Sequence, residues 1–172
     1  MQNKTRRRSV HNYYNSRKSL NYYRKVKDIL NGLQFESIID IGSRRSPVLD
    51  GVAANKTLLD IHPMPERPGT HAIMADFYTW TPDKTYDVVL CLEVLEHLDR
   101  PAEFAQKLFE TGRIVILSVP YKWPKGACKY HVQDPVDEVK IREWTGRDPI
   151  GQYCIADGVC WRMICVYGAQ GK

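Results

Sequence analysis

Two apolar segments separated by a helical one constrain the fold of this chain most strongly. Residues 86–92 read YDVVLCL and residues 113–119 read RIVILSV, with almost no polar side chains. Between them, Pro101 opens a stretch with apolar residues at helical spacing, and Gly112 closes it. Strands that are apolar on both faces occur in parallel sheets covered by helices. The pattern therefore predicts an α/β fold with helices on both faces of the sheet.

Other segments extend this pattern in both directions. Further strands are predicted at 37–41, 57–61, 71–74, 152–156 and 161–167. The last two are joined by Asp157-Gly158, which is typical of an antiparallel hairpin. Helices are predicted from about Asn15 to Leu33 and from Ser46 to about Asn55. We expect a mostly parallel sheet that ends in a C-terminal antiparallel hairpin.

The charge distribution divides the chain into an arm and a main body. Residues 1–30 hold nine Lys or Arg residues and one acid, so the remainder is net acidic although the whole chain carries +5. We expect residues 1–34 to form a basic arm and a lid helix, and residues 35–172 to form the main domain. Residues 120–151 interrupt the pattern, and such long irregular segments usually serve function.

Three aspartates fall at or just past the ends of the first three predicted strands. They are Asp40, Asp60 and Asp76. Asp60 follows Asp40 by the spacing at which an acid binds ribose hydroxyls, and a carboxylate accepts two hydrogen bonds from such a diol. Asp76 and Phe77 would contact the amine and edge of an adenine. Because the carboxyl ends of parallel strands bind ligands, the three predict a nucleoside site.

The turn after the first strand restricts which nucleoside cofactor fits. It reads Gly42-Ser43-Arg44-Arg45-Ser46, with a single glycine. A dinucleotide pyrophosphate needs the close backbone approach that several glycines provide. The loop therefore excludes a pyrophosphate and favours a cofactor without phosphates.

These motifs together resemble those of the class I S-adenosylmethionine (SAM)-dependent methyltransferases. Asp40-Ile41-Gly42, Leu59-Asp60-Ile61 and Ala75-Asp76-Phe77 resemble the first three family motifs. The run 86–98, which contains EVLEH, resembles the fourth-strand motif of type 11 members such as the ubiquinone-pathway O-methyltransferases. The resemblance implies a Rossmann-like, seven-stranded sheet with its last strand antiparallel, and SAM as the cofactor.

The resemblance also implies roles for individual residues. The methionine end of SAM would lie near Asp40, Gly42 and Ser43, and its ribose on Asp60. Ile61 would lie against the adenine face, with Asp76 and Phe77 at the adenine edge. Leu92 and Glu93 would lie beside the sulfonium. Arg44 or Arg45 would either pair with the cofactor carboxylate or remain a solvated loop charge.

The chemistry of the acceptor points to two histidines. Histidine is the usual base at neutral pH, and we expect His97 and His131 to be catalytic. With Glu93 and Glu96 they also resemble the metal ligands of small-RNA 2′-O-methyltransferases, so a divalent metal is an alternative. Trp123 is expected to wall the acceptor pocket, and Trp144 to pack in the core.

The function expected from the sequence is O-methylation of a small molecule or a saccharide precursor. The alternatives are a metal-dependent RNA 2′-O-methyltransferase and a non-catalytic SAM-binding scaffold. Arg6, Arg7 and Arg8 would bind RNA phosphates in the first alternative. No apolar segment reaches the roughly 20 residues that span a bilayer. We therefore expect no membrane partner and a cytoplasmic location; the sequence does not indicate an oligomeric state.

Overall fold

A computed structural model describes residues 17–44 and 46–168 of the chain. The predictions for Arg6, Arg7 and Arg8 and for Arg45 therefore lie outside the described residues. The strands are β1 (Ser37–Ile41), β2 (Asn55–Asp60), β3 (Thr70–Met74), β4 (Tyr86–Leu92), β5 (Gly112–Pro120), β6 (Gly151–Asp157) and β7 (Cys160–Tyr167). The helices are α1 (Asn21–Asn31), α2 (Pro101–Thr111) and α3 (Glu138–Thr145), with a 3-10 turn at Leu95–His97.

The strands form one seven-stranded sheet in the order β3-β2-β1-β4-β5-β7-β6. Neighbouring strands from β3 through β5 pair in parallel, whereas β7 runs antiparallel to both β5 and β6. The predicted Rossmann-like sheet with its C-terminal antiparallel hairpin is confirmed. No described helix is long and apolar enough to cross a membrane.

Helices cover both faces of the sheet because alternate residues of each strand point to opposite sides. Ile38, Val88 and Ile116 pack on one face with α1 and with the segment around Val48 and Leu49. The residues that alternate with these, such as Ile39, Val89 and Leu117, pack on the opposite face with α2 and α3. Trp144 of α3 belongs to that second core, as predicted.

The prediction of a helix from Ser46 to about Asn55 was wrong. Residues 48–51 form turns, with hydrogen bonds from Asp50 N to the Pro47 carbonyl and from Val52 N to the Leu49 carbonyl. Gly51 takes a φ of 79°, which a right-handed helix does not contain. The short crossover therefore leaves α1 as the helix on this face of the described structure.

Candidate functional site

The strand order places a crevice at the carboxyl ends of β1 and β4. From β1 the chain proceeds outward to β2 and β3, and from β4 it proceeds outward on the opposite side. Ligands of open α/β sheets bind where the strand order reverses in this way. The loops that follow β1 and β4 are therefore the first candidates for a site, and the predicted residues lie there.

The loop after β1 packs tightly against the exit of β4. Gly42 has a φ of 73°, and its N–H donates to the Leu59 carbonyl at 2.8 Å. A Cβ atom at this position would lie 2.6 Å from Cγ2 of Val94. Ser43 is buried, and its hydroxyl donates to Sδ of Met64 at 3.1 Å. The single glycine of this loop is thus required where the loops that follow β1 and β4 meet.

Asp40 and Asp60 bring two buried carboxyl groups to this edge of the sheet. Asp40 is 1% exposed, and its Oδ2 has no hydrogen-bond partner among the described residues. Burial, followed by the charge of Asp60, raises the pKa of Asp40 to about 8, although Arg67 opposes the shift. Oδ1 of Asp60 accepts from the His62 N–H at 2.8 Å. An unpartnered buried carboxyl oxygen of this kind fits a ligand that can form a hydrogen bond with it.

The residues predicted to contact adenine differ in exposure. Ile61 is 62% exposed, and Asp76 is exposed with its Oδ1 accepting from the Tyr78 N–H at 2.9 Å. Phe77 is only 2% exposed, and its ring centre lies 4.6 Å from that of Phe104. Ile61 and Asp76 thus lie at the rim, whereas Phe77 packs in the core below the turn.

Glu93 follows β4 in an unusual backbone conformation. Its φ is 57°, a region that residues other than glycine rarely adopt. Its Oε1 accepts from the Ser118 hydroxyl at 3.1 Å, and its Oε2 accepts from Nε of Arg162 at 2.9 Å. Burial raises the pKa of Glu93 against the opposing charge of Arg162. Leu92, one residue earlier, is 8% exposed.

The two predicted histidines lie together beside Glu96. The rings of His97 and His131 have centres 4.7 Å apart, although 34 positions separate them in the sequence. Nδ1 of His131 lies 2.8 Å from Oδ2 of Asp134, and these two side chains are 6% and 1% exposed. Nδ1 of His97 lies 2.9 Å from the Tyr130 carbonyl, which assigns a proton to that nitrogen. In each ring Nε2 remains as the basic atom.

Glu96 is a fully buried carboxyl group beside His97. Neither of its oxygens has a hydrogen-bond partner among the described residues, and its Oε1 lies 3.7 Å from Nε2 of His97. Burial, followed by the charge of Glu93, raises its pKa well above the ordinary value, whereas partial burial lowers the pKa of His97. Glu96, His97 and His131 each offer a ligand atom, and the three atoms lie within 4.8 Å of one another. Glu93 is not part of this group.

Sequence reasoning missed Arg162 and Asp157 as parts of this region. Arg162 pairs with both Glu93 and Asp157, and its guanidinium lies 4.8 Å from the ring centre of Tyr22 and 5.6 Å from that of Trp123. The sequence indicates a turn residue at Asp157 and a single charged residue within a strand at Arg162, and neither pattern predicts a role in a site. The pairing of strands distant in sequence brings them to the site.

Comparison with known proteins identifies the class of this fold and site. A family model described as a methyltransferase domain matches residues 14–161. The chain belongs to this methyltransferase domain family. It is a SAM-dependent methyltransferase, and SAM is the cofactor of its class. The class I resemblance is therefore confirmed, whereas the closer likeness in EVLEH stays a prediction.

Solved structures of other methyltransferases share the fold. The 1,6-didemethyltoxoflavin-N1-methyltransferase of Burkholderia thailandensis has a TM-score of 0.73 at 14% identity, over 94% of this chain and 84% of that one. The N-methyltransferase NodS of Bradyrhizobium japonicum WM9 has a TM-score of 0.69 at 10% identity, over 89% and 90%. Magnesium protoporphyrin IX methyltransferase of Synechocystis PCC 6803 has a TM-score of 0.63 at 18% identity, over 87% and 80%. A search among curated proteins found no match.

Proposed function

We propose that this methyltransferase transfers a methyl group to a hydroxyl of a small molecule, with a saccharide precursor as the preferred class. The observation that supports this most directly is the His131–Asp134 pair, at 2.8 Å, beside His97 at the exit of β4. A hydroxyl acceptor must lose a proton during transfer, and an oriented imidazole is suited to accept it. Amine acceptors need such a base less.

The residues of the crevice fit SAM, which supplies an activated methyl group on a sulfonium. In this proposal Asp60 accepts hydrogen bonds from the ribose hydroxyls. Asp40, Gly42 and Ser43 line the methionine end, where the unpartnered Oδ2 of Asp40 meets a hydrogen-bonding group of the ligand. The adenine lies near Ile61 and Asp76, on the turn that Phe77 anchors in the core. Leu92 and Glu93 border the reacting end.

Asp134 orients His131 for proton removal. Because Asp134 accepts from Nδ1–H, the lone pair of the neutral ring lies on Nε2. The carboxylate also stabilises the imidazolium that forms after proton transfer. His97 holds its own Nδ1–H on the Tyr130 carbonyl, and burial favours its neutral form at physiological pH. Both rings are therefore prepared to accept a proton at Nε2.

The acceptor pocket is proposed to lie between α1 and the 120–151 segment. Trp123 and His131 come from that segment, and their ring centres lie 5.6 Å apart. Tyr22 of α1 is fully buried, with the Arg162 guanidinium over its ring. Aromatic faces beside carboxyl groups suit a sugar ring or a planar acceptor. Structural relatives include enzymes named for methylating magnesium protoporphyrin IX and 1,6-didemethyltoxoflavin, which supports a small acceptor.

A second candidate is a metal-assisted reaction at the same hydroxyl. The observation that favours it is the group of Glu96, His97 and His131, whose ligand atoms lie within 4.8 Å of one another, with neither Glu96 oxygen hydrogen-bonded in the described structure. Carboxylate and imidazole ligands suit Mn²⁺ or other first-row metals. Glu93, engaged by Ser118 and Arg162, contributes no ligand atom in this arrangement.

The base is tested by methyl transfer from radiolabelled SAM to a panel of sugars, phenols and short RNAs. We expect His131→Ala and Asp134→Asn to reduce kcat about 10²–10⁴-fold for the best acceptor, because general-base catalysis contributes that much. Their affinity for S-adenosylhomocysteine should stay within about twofold of wild type. His71→Ala, at an exposed histidine of β3, is the control and should keep full activity. Undiminished turnover in His131→Ala, or transfer to RNA alone, would contradict the proposal.

The metal candidate is tested by thermal shift with Mn²⁺ or Mg²⁺. Specific binding should raise the melting temperature of the wild type but not of Glu96→Ala or His131→Ala, because each variant lacks a ligand. Glu110→Ala, at an exposed glutamate of α2, controls for nonspecific binding. Equal melting temperatures with and without metal in all of these proteins would exclude this candidate and leave the unassisted base.

A further inference from the structure

Arg162 is a nearly buried cation that joins four separate parts of the chain. Its side chain is 12% exposed. It donates from Nε to Glu93 after β4 at 2.9 Å and from Nη1 to Asp157 of β6 at 3.3 Å. Its guanidinium also lies over the rings of Tyr22 in α1 and Trp123 in the 120–151 segment. A planar group with several donors can bridge two carboxylates and stack on aromatic rings, which lysine cannot do.

Asp157 caps α1 from a distant part of the chain. Its Oδ1 accepts from the Asn21 N–H at 2.5 Å, and its Oδ2 accepts from the Tyr22 N–H at 3.3 Å. The residue that precedes α1, Leu20, makes no side-chain cap of its own. The first N–H groups of a helix need an acceptor, and here β6 supplies it. The docking of α1 thus depends on the same carboxylate that pairs with Arg162.

Glu93 is held in place by the other end of this network. Its left-handed φ of 57° is unfavourable for a glutamate, so surrounding contacts must maintain it. Those contacts are the Ser118 hydroxyl and backbone carbonyl, and Nε of Arg162. Because the Glu93 side chain is only 11% exposed, the loss of Arg162 would remove the cation that pairs with it directly and leave its charge to the weaker influence of Arg17. The position of Glu93 therefore depends on Arg162.

We propose that Arg162 is a positioning residue that couples the docking of α1 to the placement of Glu93 at the reacting end of the cofactor. The proposal rests on the proposed function only in placing that end of the cofactor beside Glu93. Since coupling between two sites is reciprocal, cofactor binding should strengthen the docking of α1, and docked α1 should strengthen cofactor binding. Arg162 acts through its neighbours and takes no part in methyl transfer.

The test measures trypsin cleavage within α1, with and without saturating S-adenosylhomocysteine. Cleavage after Arg24, Lys25 and Lys27, identified by mass spectrometry, reports the release of this helix. In the wild type we expect the ligand to slow this cleavage about tenfold, a typical coupling between sites. In Arg162→Gln, cleavage without ligand should be faster, and the protection by ligand should be lost. Arg162→Lys, which keeps the charge but cannot bridge both carboxylates, should give an intermediate result and serves if the glutamine variant does not fold.

Arg142→Gln is the matched control, because Arg142 of α3 forms an exposed ion pair with Asp148, which lies beyond the end of that helix. It should retain the protection seen in the wild type. If both Arg162 variants were protected as strongly as the wild type, the coupling role of Arg162 would be overturned, since a purely structural arginine leaves ligand protection intact. If the wild type did not bind S-adenosylhomocysteine in a calorimetric titration, the proposed function would fail separately.

Discussion

Replacing Gly42 by alanine tests the packing that shapes the cofactor loop. The new Cβ would lie 2.6 Å from Cγ2 of Val94, and the residue would have to keep a φ of 73°. The left-handed conformation costs an alanine roughly 1–2 kcal/mol. Alanine also lowers the conformational entropy of the unfolded chain, which offsets about 0.4–1 kcal/mol of this cost. Overpacking adds roughly 1–3 kcal/mol. We expect Gly42→Ala to lower the free energy of unfolding by about 2–4 kcal/mol.

Gly51 offers a control with the same backbone strain and no steric contact. Its φ is 79°, and apart from its two chain neighbours no described residue has an atom within 4 Å of the point that an alanine Cβ would occupy. Gly51→Ala should therefore cost only about 1 kcal/mol. For a chain of this size, about 1 kcal/mol corresponds to 2–4 °C, so a difference of about 1–3 kcal/mol should make Gly42→Ala melt roughly 2–12 °C below Gly51→Ala.

The assay combines thermal melts with calorimetric titration of S-adenosylhomocysteine. Gly42→Ala should also weaken binding at least about tenfold, because the loop can admit the methyl group only by moving away from Val94 and the exit of β4. Gly51→Ala should bind as the wild type does. In the double variant Gly42→Ala/Val94→Ala the two costs should not add, since the smaller side chain removes the contact. Equal melting temperatures for Gly42→Ala and Gly51→Ala would show that contact with Val94 does not restrict position 42.

Three further predictions concern buried carboxyl groups. Because the pKa of Asp40 in the fold is about 8, the native state holds a proton that the unfolded chain releases near the ordinary pKa of an aspartate. The free energy of unfolding measured in urea should therefore fall between pH 5 and pH 8 for the wild type. A fall just as steep in Asp40→Asn would contradict this prediction. Asp60→Asn should weaken S-adenosylhomocysteine binding about 10–100-fold by calorimetry, as expected for loss of charged hydrogen bonds, and unchanged affinity would remove Asp60 from the site. Glu96→Gln should raise the melting temperature at pH 8 without metal, because burial raises the pKa of Glu96 and makes its ionised form costly. Glu110→Gln, at an exposed position, should leave the melting temperature unchanged. A lower melting temperature for Glu96→Gln would show that the buried Glu96 carboxyl stabilises the fold.

Elements with both a strong apolar pattern and clear end signals were predictable from sequence. β1, β4 and α2 have the bounds that their patterns predicted, and α2 begins at its proline and ends before Gly112. The segment after Ser46 carried a helix-start signal too, but Gly51 and the short distance to β2 produce turns instead. Local signals thus failed where a glycine conformation set by the fold determined the outcome.

The candidate site was predictable only where its residues lie at or near a strand end. Asp40 and Asp60 were assigned to it because they lie at the ends of predicted strands, and the EVLEH motif indicated Glu96 and His97. The environment of Arg162 was not predictable, because its partner Glu93 lies 69 positions away and meets it only through the β5–β7 pairing. The burial of individual side chains was not predictable either, since sequence cannot distinguish a core phenylalanine such as Phe77 from one at the rim of the crevice.

We propose that the crevice between β1 and β4 holds SAM with its reacting end toward His131. A crystal structure with bound S-adenosylhomocysteine tests this placement. We expect ribose hydroxyls within hydrogen-bond distance of Asp60 and a sulfur atom that faces the cluster of Glu96, His97 and His131. A ligand bound elsewhere, or one whose sulfur faces away from this cluster, would contradict it.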